Sequence, residues 1–265
     1  MTEITSVQNP VIKRIKALKD KKARVQHGEM LVEGEKLLLE AAQAGLVPSD
    51  VLIESAQAEK FSSLAREMAE YGAHVYLAPR HVLEAACDTK TPQGACGAFT
   101  LPVPFEPENA PERLVVLDGV QDPGNVGTIW RTADAAGLDG MLLASSGADP
   151  FSPKVQRAAM GSGFRVPVRV TGHLADELMT LRSLGYKIIV SALDGAPFYE
   201  GVPHCEKFAL VIGNEARGVS DEVGAVADVR LKLPMRGGAE SLNAAVAAGI
   251  MMYELMRAYE ETYES

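Results

Sequence analysis

The sequence predicts an α/β protein of two domains, the second a parallel sheet with helices on both faces. Three observations carry that expectation. Residues 101–112 (LPVPFEPENAPE) hold four prolines and no apolar period, which is the composition of a linker. Beyond the linker, continuous apolar runs of strand length alternate with helical patterns, as in βαβ units. Three of those strands then lead into loops rich in glycine and polar residues, at the sheet edge where open α/β folds bind ligands. The expected parts are a domain at 1–100, the linker at 101–112 and a second domain at 113–265.

The first domain opens on a basic helix at 10–23. A short strand and turn follow at 31–34, then a helix at 35–44 with Leu38, Leu39 and Ala42 on one face and Gly45 as its stop. Strands are expected at 51–53, 74–77 and 96–100, with helices at 61–71 and 80–86. This is a small α/β sandwich. In the second domain the run 114–117 is apolar throughout, as a strand covered on both faces requires. Similar runs lie at 141–144, 187–191, 208–212 and 229–233. Helical patterns separate them at 126–136, 154–160, 174–184 and 221–226, and a final helix spans 242–259.

Apolar residues make up 47% of the 265 and charged residues 23%, an ordinary globular balance. The start, Met1-Thr2-Glu3, lacks the apolar stretch of a secretory signal, and no run reaches the roughly 18 apolar residues of a membrane span. A cytoplasmic protein is expected. Cys87, Cys96 and Cys205 form no C-x-x-C pair, which argues against disulfides and structural zinc. The net charge of −9 disfavours nucleic acid as a whole, but the charge is uneven. Lys13, Arg14, Lys16, Lys19, Lys21, Lys22 and Arg24 stand against Asp20 alone, and local charge decides whether phosphate docks. A solvated helix face is the plain alternative.

The three loops share one grammar: a buried strand, a glycine-rich polar turn, then a helix. In the first, Asn125 follows Pro123-Gly124 and either caps the helix or serves a ligand. Arg131 in that helix is either a solvated charge or a planar fork for phosphate. The second loop reads G-x-E-x-x-G, where Glu215 could be a general base, a holder of Arg131 or a solvated turn residue. In the third, Gly237-Gly238 lets backbone approach a ligand, and Ser241 or Asn243 could cap the last helix. That helix is apolar nearly all round, so it is expected in the core and at an interface. The G-x-G-x-x-G fingerprint, the phosphate-binding G-x-x-x-x-G-K-[ST] loop, the G-x-S-x-G elbow and any H-x-x-x-H pair are missing from the sequence. Nicotinamide, P-loop, serine-hydrolase and zinc chemistries therefore lose their usual signatures.

Together the segments LDGVQDPGNVGTIWRTADAAG, LVIGNEARGVS and LKLPMRGGAESLNAAVAAGI resemble, in order and spacing, the three motifs of the SpoU (TrmH) family. These are RNA ribose 2′-O-methyltransferases of the SPOUT superfamily, and the likeness covers about 114–254. The segment GEMLVEGEKLLLEA is more weakly similar to the family's ribosomal-protein-like substrate-binding domain. The resemblance implies S-adenosyl-L-methionine as cofactor, no metal, a trefoil knot in the sheet domain, and a homodimer with the last helix at its interface. It matches Asn125, Arg131, Glu215, Ser241 and Asn243 to the polar motif positions, and assigns cofactor contacts to Ile212, Gly213, Leu233, Met235 and Leu242. Under that reading Lys13, Arg14, Lys19, Lys21, Lys22 and Arg24 become RNA contacts.

The implied reaction sets the 2′-oxygen in line with the sulfonium methyl, so positioning supplies much of the rate. The family view often makes the motif arginine a base. A guanidinium does not give up its proton in a protein, so Arg131 fits better as a clamp that holds the adjacent phosphate and stabilises the developing alkoxide. Ribosomal RNA is expected over transfer RNA because a separate N-terminal substrate domain resembles the ribosomal branch. A transfer-RNA substrate, a base-modifying enzyme and a non-catalytic RNA-binding member remain the alternatives.

Overall fold

The computed structural model describes residues 1–263 and separates into two compact units. The first contains β1 (Thr2–Glu3), α1 (Pro10–Ala17), α2 (Lys21–His27), β2 (Glu29–Glu33), α3 (Glu35–Gln43), β3 (Pro48–Glu54), α4 (Ser62–Glu70), β4 (His74–Ala78), α5 (Arg80–Ala86) and β5 (Ala95–Thr100). Its sheet runs β1-β4-β3-β5-β2, with β5 antiparallel to both neighbours. Side chains alternate along the strands, so each face has its own core. Leu31, Leu52, Cys96 and Ala98 pack with Ile12, Ile15 and Val82, whereas Met30, Val32, Val51 and Phe99 pack with Leu38, Leu64 and Met68.

Two sequence expectations change here. The basic helix at 10–23 is two helices, because Asp20 adopts an extended conformation as the N-cap of α2 and buried Leu18 closes α1. The unit boundaries also differ from a single cut at 101–112. Phe151–Phe164 belongs to the first unit, so the chain passes between units after Pro102, Pro150 and Phe164. That segment carries α7 (Pro153–Ala159), whose Arg157 donates to Asp88 at 2.8 Å, while Phe151 and Phe164 pack against the core beside α3.

The second unit holds β6 (Arg113–Asp118), α6 (Pro123–Ala136), β7 (Gly140–Ala144), β8 (Val168–Thr171), α8 (Leu174–Ser183), β9 (Lys187–Pro197), β10 (Phe208–Gly213), α9 (Asp221–Val226), β11 (Val229–Lys232) and α10 (Ala244–Tyr263). The sheet order is β11-β9-β10-β6-β7-β8, and every pairing is parallel. The continuous apolar runs are buried on both sides, as their composition requires. Strand β8 escapes the sequence reading because Arg169 interrupts its short run. Strand β9 runs past its apolar core because Gly195 lies against the β11 backbone, where an added Cβ would come within 2.6 Å of Arg230. The parallel arrangement puts the ends of β6, β9, β10 and β11 on one edge, and the site forms there.

Candidate active site

The first loop leaves β6 at Asp118 and turns at Gly119, whose φ of +72° favours glycine. Asp122 is the N-cap of α6: its Oδ1 accepts from the Asn125 backbone N–H at 2.9 Å, with Pro123 opening the helix. The capping role considered for Asn125 is therefore filled by Asp122. The Asn125 side chain stands in the first turn and is free for other partners.

The second loop is a tight hairpin. Asn214 and Gly218 exchange backbone hydrogen bonds at 2.9 Å, and Gly218 has φ of +72°, so Glu215, Ala216 and Arg217 form the tip. Asn214 fixes it twice: Oδ1 accepts from Ala216 N–H (3.0 Å) and Arg217 N–H (3.1 Å), and Nδ2 donates to the Gly119 carbonyl at 2.8 Å. Gly213 has no alternative, since a Cβ there would lie 2.2 Å from the Gly218 carbonyl carbon. The third loop ends at Asn243, whose Oδ1 caps α10 through Ala245 N–H (2.9 Å) and Val246 N–H (3.3 Å).

One polar chain joins the three loops. Asn243 Nδ2 donates to Asn125 Oδ1 at 3.0 Å, and Asn125 Nδ2 donates to Glu215 Oε1 at 3.0 Å. Glu215 also accepts from the backbone N–H of Gln121 (3.2 Å) and Asp122 (3.3 Å). Partial burial pushes the Glu215 carboxyl up, but the hydrogen bonds from Asn125 and the backbone outweigh it and hold the group below the usual carboxylate range. Glu215 is thus an anion that braces the first loop through Asn125. The option that it holds Arg131 is replaced: Arg131 is exposed on α6 and makes no ion pair or side-chain hydrogen bond among the described residues. Ser241 is exposed beside the same loops and has no side-chain hydrogen bond among the described residues.

A cleft of about 640 Å³ opens between the second and third loops. Ile212, Gly213, Leu233, Met235 and Leu242 all line it, as do Glu215, Ser241 and Asn243. Its size falls in the range of small-molecule sites. Its apolar walls suit an aromatic ring and an aliphatic chain, and the exposed hairpin offers backbone donors and acceptors. The sequence reading missed the β9 end, where Ser191, Ala192, Leu193 and Asp194 complete the wall. No glycine-rich turn marks that strand end, so only the overlong β9 could have signalled it.

The basic segment divides. Lys13, Lys21 and Lys22 are exposed. Three other members have structural duties and are corrected as free RNA contacts. Arg14 pairs with Glu29 and Asp50 beneath the sheet, Lys19 caps α5 through the Ala85 carbonyl at 3.1 Å, and buried Arg24 caps α1 through Leu18 and Lys19 carbonyls at 2.7 and 2.8 Å. Among the described residues no cluster of His, Cys, Asp and Glu could hold a metal ion.

The profile of the SpoU rRNA Methylase family matches residues 112–253, which include all three loops. The chain belongs to that family. The profile of the MRM3-like substrate binding domain matches residues 9–97. A relative from Bacillus subtilis, the 23S rRNA (guanosine(2553)-2′-O)-methyltransferase RlmP, is 37% identical over 96% of this chain and 99% of its own length. The AdoMet-bound rRNA methyltransferase from Sinorhizobium meliloti superposes with TM-score 0.85 at 33% identity, covering 97% of each chain. The SpoU methyltransferase AviRb from Streptomyces viridochromogenes, also with AdoMet, gives TM-score 0.82 at 26% identity over 94% of this chain and 98% of its own. The cofactor of this SpoU family chain is S-adenosyl-L-methionine (AdoMet).

Proposed function

We propose that the protein transfers the methyl group of AdoMet to a ribose 2′-hydroxyl of ribosomal RNA. The observation that carries the reading is the polar chain Asn243–Asn125–Glu215 across three loops, whose two ends, Asn243 and Glu215, line the cleft that we assign to AdoMet. AdoMet supplies an electrophilic sulfonium methyl. The protein supplies position and charge. The brace through Glu215 sets the start of α6, and so sets where Arg131 projects. Arg131, with no carboxylate partner, is available to a phosphate and to the alkoxide that develops on the attacking oxygen. A carboxylate held below its usual range is a poor proton acceptor at neutral pH, so Glu215 acts by holding rather than by abstracting.

The 2′-hydroxyl restricts the substrate to RNA, and the likeness to 23S rRNA and other rRNA methyltransferases supports the ribosomal branch. In the first unit, Lys13, Lys16, Lys21 and Lys22 are the exposed members of the basic segment and are available to phosphate. A homodimer through the knotted domain belongs to the same proposal. Val246 and Tyr253 on α10, with Leu242 just before the helix, are exposed apolar side chains, in support of a partner there. The trefoil knot is proposed from the family resemblance. No helix among the described residues is long and apolar enough to cross a membrane, and the free cysteines agree with a cytoplasmic reaction. Mapping 2′-O-methyl sites in ribosomal RNA from cells with and without the gene tests the proposal. One site lost on deletion and restored by the wild-type gene, but not by an Arg131→Ala gene, is expected; an unchanged map refutes it.

A further inference from the structure

We infer that Arg217 and Arg236 join Arg131 in a phosphate-binding rim, one guanidinium from each loop segment, that grips the RNA backbone at the target nucleotide. The inference rests on the RNA reading above. Its ground is the pairing of arginines in the second unit. Six of them are held by an Asp or Glu side chain, as Arg113 is by Asp139 at 2.7 Å and Arg182 by Asp228 at 2.9 Å. Arg131, Arg217 and Arg236 are exposed and have no such partner among the described residues. In a chain of net charge −9 carboxylates are plentiful, yet these three lie on the three segments that build the site.

The loops present the pair for an external anion. Arg217 sits at the tip of the hairpin, its backbone N–H fixed by Asn214 Oδ1 at 3.1 Å, so little order has to be gained on binding. Arg236 precedes Gly237 and Gly238, and a Cβ at either glycine would meet nothing within 4 Å. Packing does not demand those glycines, and the open space around them suits a polynucleotide strand. A guanidinium fork matches phosphate oxygens better than a point charge does.

The test uses the full chain and a transcript of the 23S rRNA segment that carries the guanosine modified by the Bacillus subtilis relative. Binding is measured from 50 to 300 mM KCl for wild type, Arg217→Gln, Arg236→Gln and the double variant, with AdoMet affinity by calorimetry alongside. Each substitution is expected to reduce the slope of log K against log salt by about 0.7–0.9, and the pair by about twice that. AdoMet affinity is expected within about twofold of wild type for Arg236→Gln; Arg217 also lines the cleft, so its variants are read by the salt slope. Arg217→Lys and Arg236→Lys should restore most of the slope, which misfolded variants would not do. A double variant with wild-type slope overturns the rim, and so does a loss confined to AdoMet affinity. A wild type that neither binds nor methylates this RNA overturns the RNA reading itself, and the rim with it.

Discussion

Glu215→Gln separates a bracing carboxylate from a catalytic base. The carboxylate accepts three hydrogen bonds, two at Oε1 from Asn125 and Asp122 and one at Oε2 from Gln121. Glutamine can keep the Oε1 pair, but its amide N–H groups then face the Gln121 N–H. One charge-assisted bond is lost and two are weakened. Such bonds are worth about 1.5–3 kcal/mol each when shielded; for this exposed site the net cost is about 1–2 kcal/mol. The expected result is a 5–30-fold fall in AdoMet affinity and in kcat/KM, since 1–2 kcal/mol is a factor of about that size. Calorimetry and a methyl-transfer assay from pH 5 to 9 provide the readout. Because the folded-state carboxyl is depressed, its contribution is complete above the unfolded value near pH 4.3 and is lost as pH falls through the lower folded value. Wild type and variant should therefore share one pH profile between 5 and 9. A wild-type limb near pH 6–7 that vanishes in Glu215→Gln would refute the reasoning and restore Glu215 as the base.

Arg131→Ala is expected to lower kcat about 10²–10³-fold, the cost of removing a transition-state charge donor, while calorimetry finds AdoMet affinity within about twofold; normal turnover would sink the clamp. Gly213→Ala forces a Cβ to within 2.2 Å of the Gly218 carbonyl carbon, so AdoMet affinity should fall at least tenfold, and unchanged affinity would show that the hairpin does not shape the cleft. Arg14→Met leaves Glu29 and Asp50 without their cation. The urea midpoint should drop by the equivalent of about 2–3 kcal/mol, below the full buried-pair cost because Arg14 is partly exposed, while the salt slope of RNA binding stays unchanged. A reduced slope would return Arg14 to the RNA contacts.

Much of this fold is legible because both-face burial writes itself as continuous apolar runs: 114–117 and 208–212 identify β6 and β10 without ambiguity. What escaped was set by tertiary contacts. Strand β8 is short and carries Arg169, which finds Glu177 only in the folded unit. The break between α1 and α2 depends on Arg24 folding back onto α1, which no local pattern announces. At the site, the motif residues could be named, but not their partners. The sequence offers Asn125 as the cap of α6, and only the structure gives the cap to Asp122 and sends Asn125 across to Glu215 and Asn243. The basic segment likewise reads as one charged run, while ion pairs and hydrogen bonds tie Arg14, Lys19 and Arg24 to the scaffold.

The central claim is that the methyl group lands on a ribose oxygen. RNA methylated by the purified protein with isotope-labelled AdoMet, digested with nuclease P1 and resolved by mass spectrometry, tests it most directly. The account predicts label in the ribose fragment of a single 2′-O-methylated nucleotide, absent with Arg131→Ala. Label on the base fragment would contradict it.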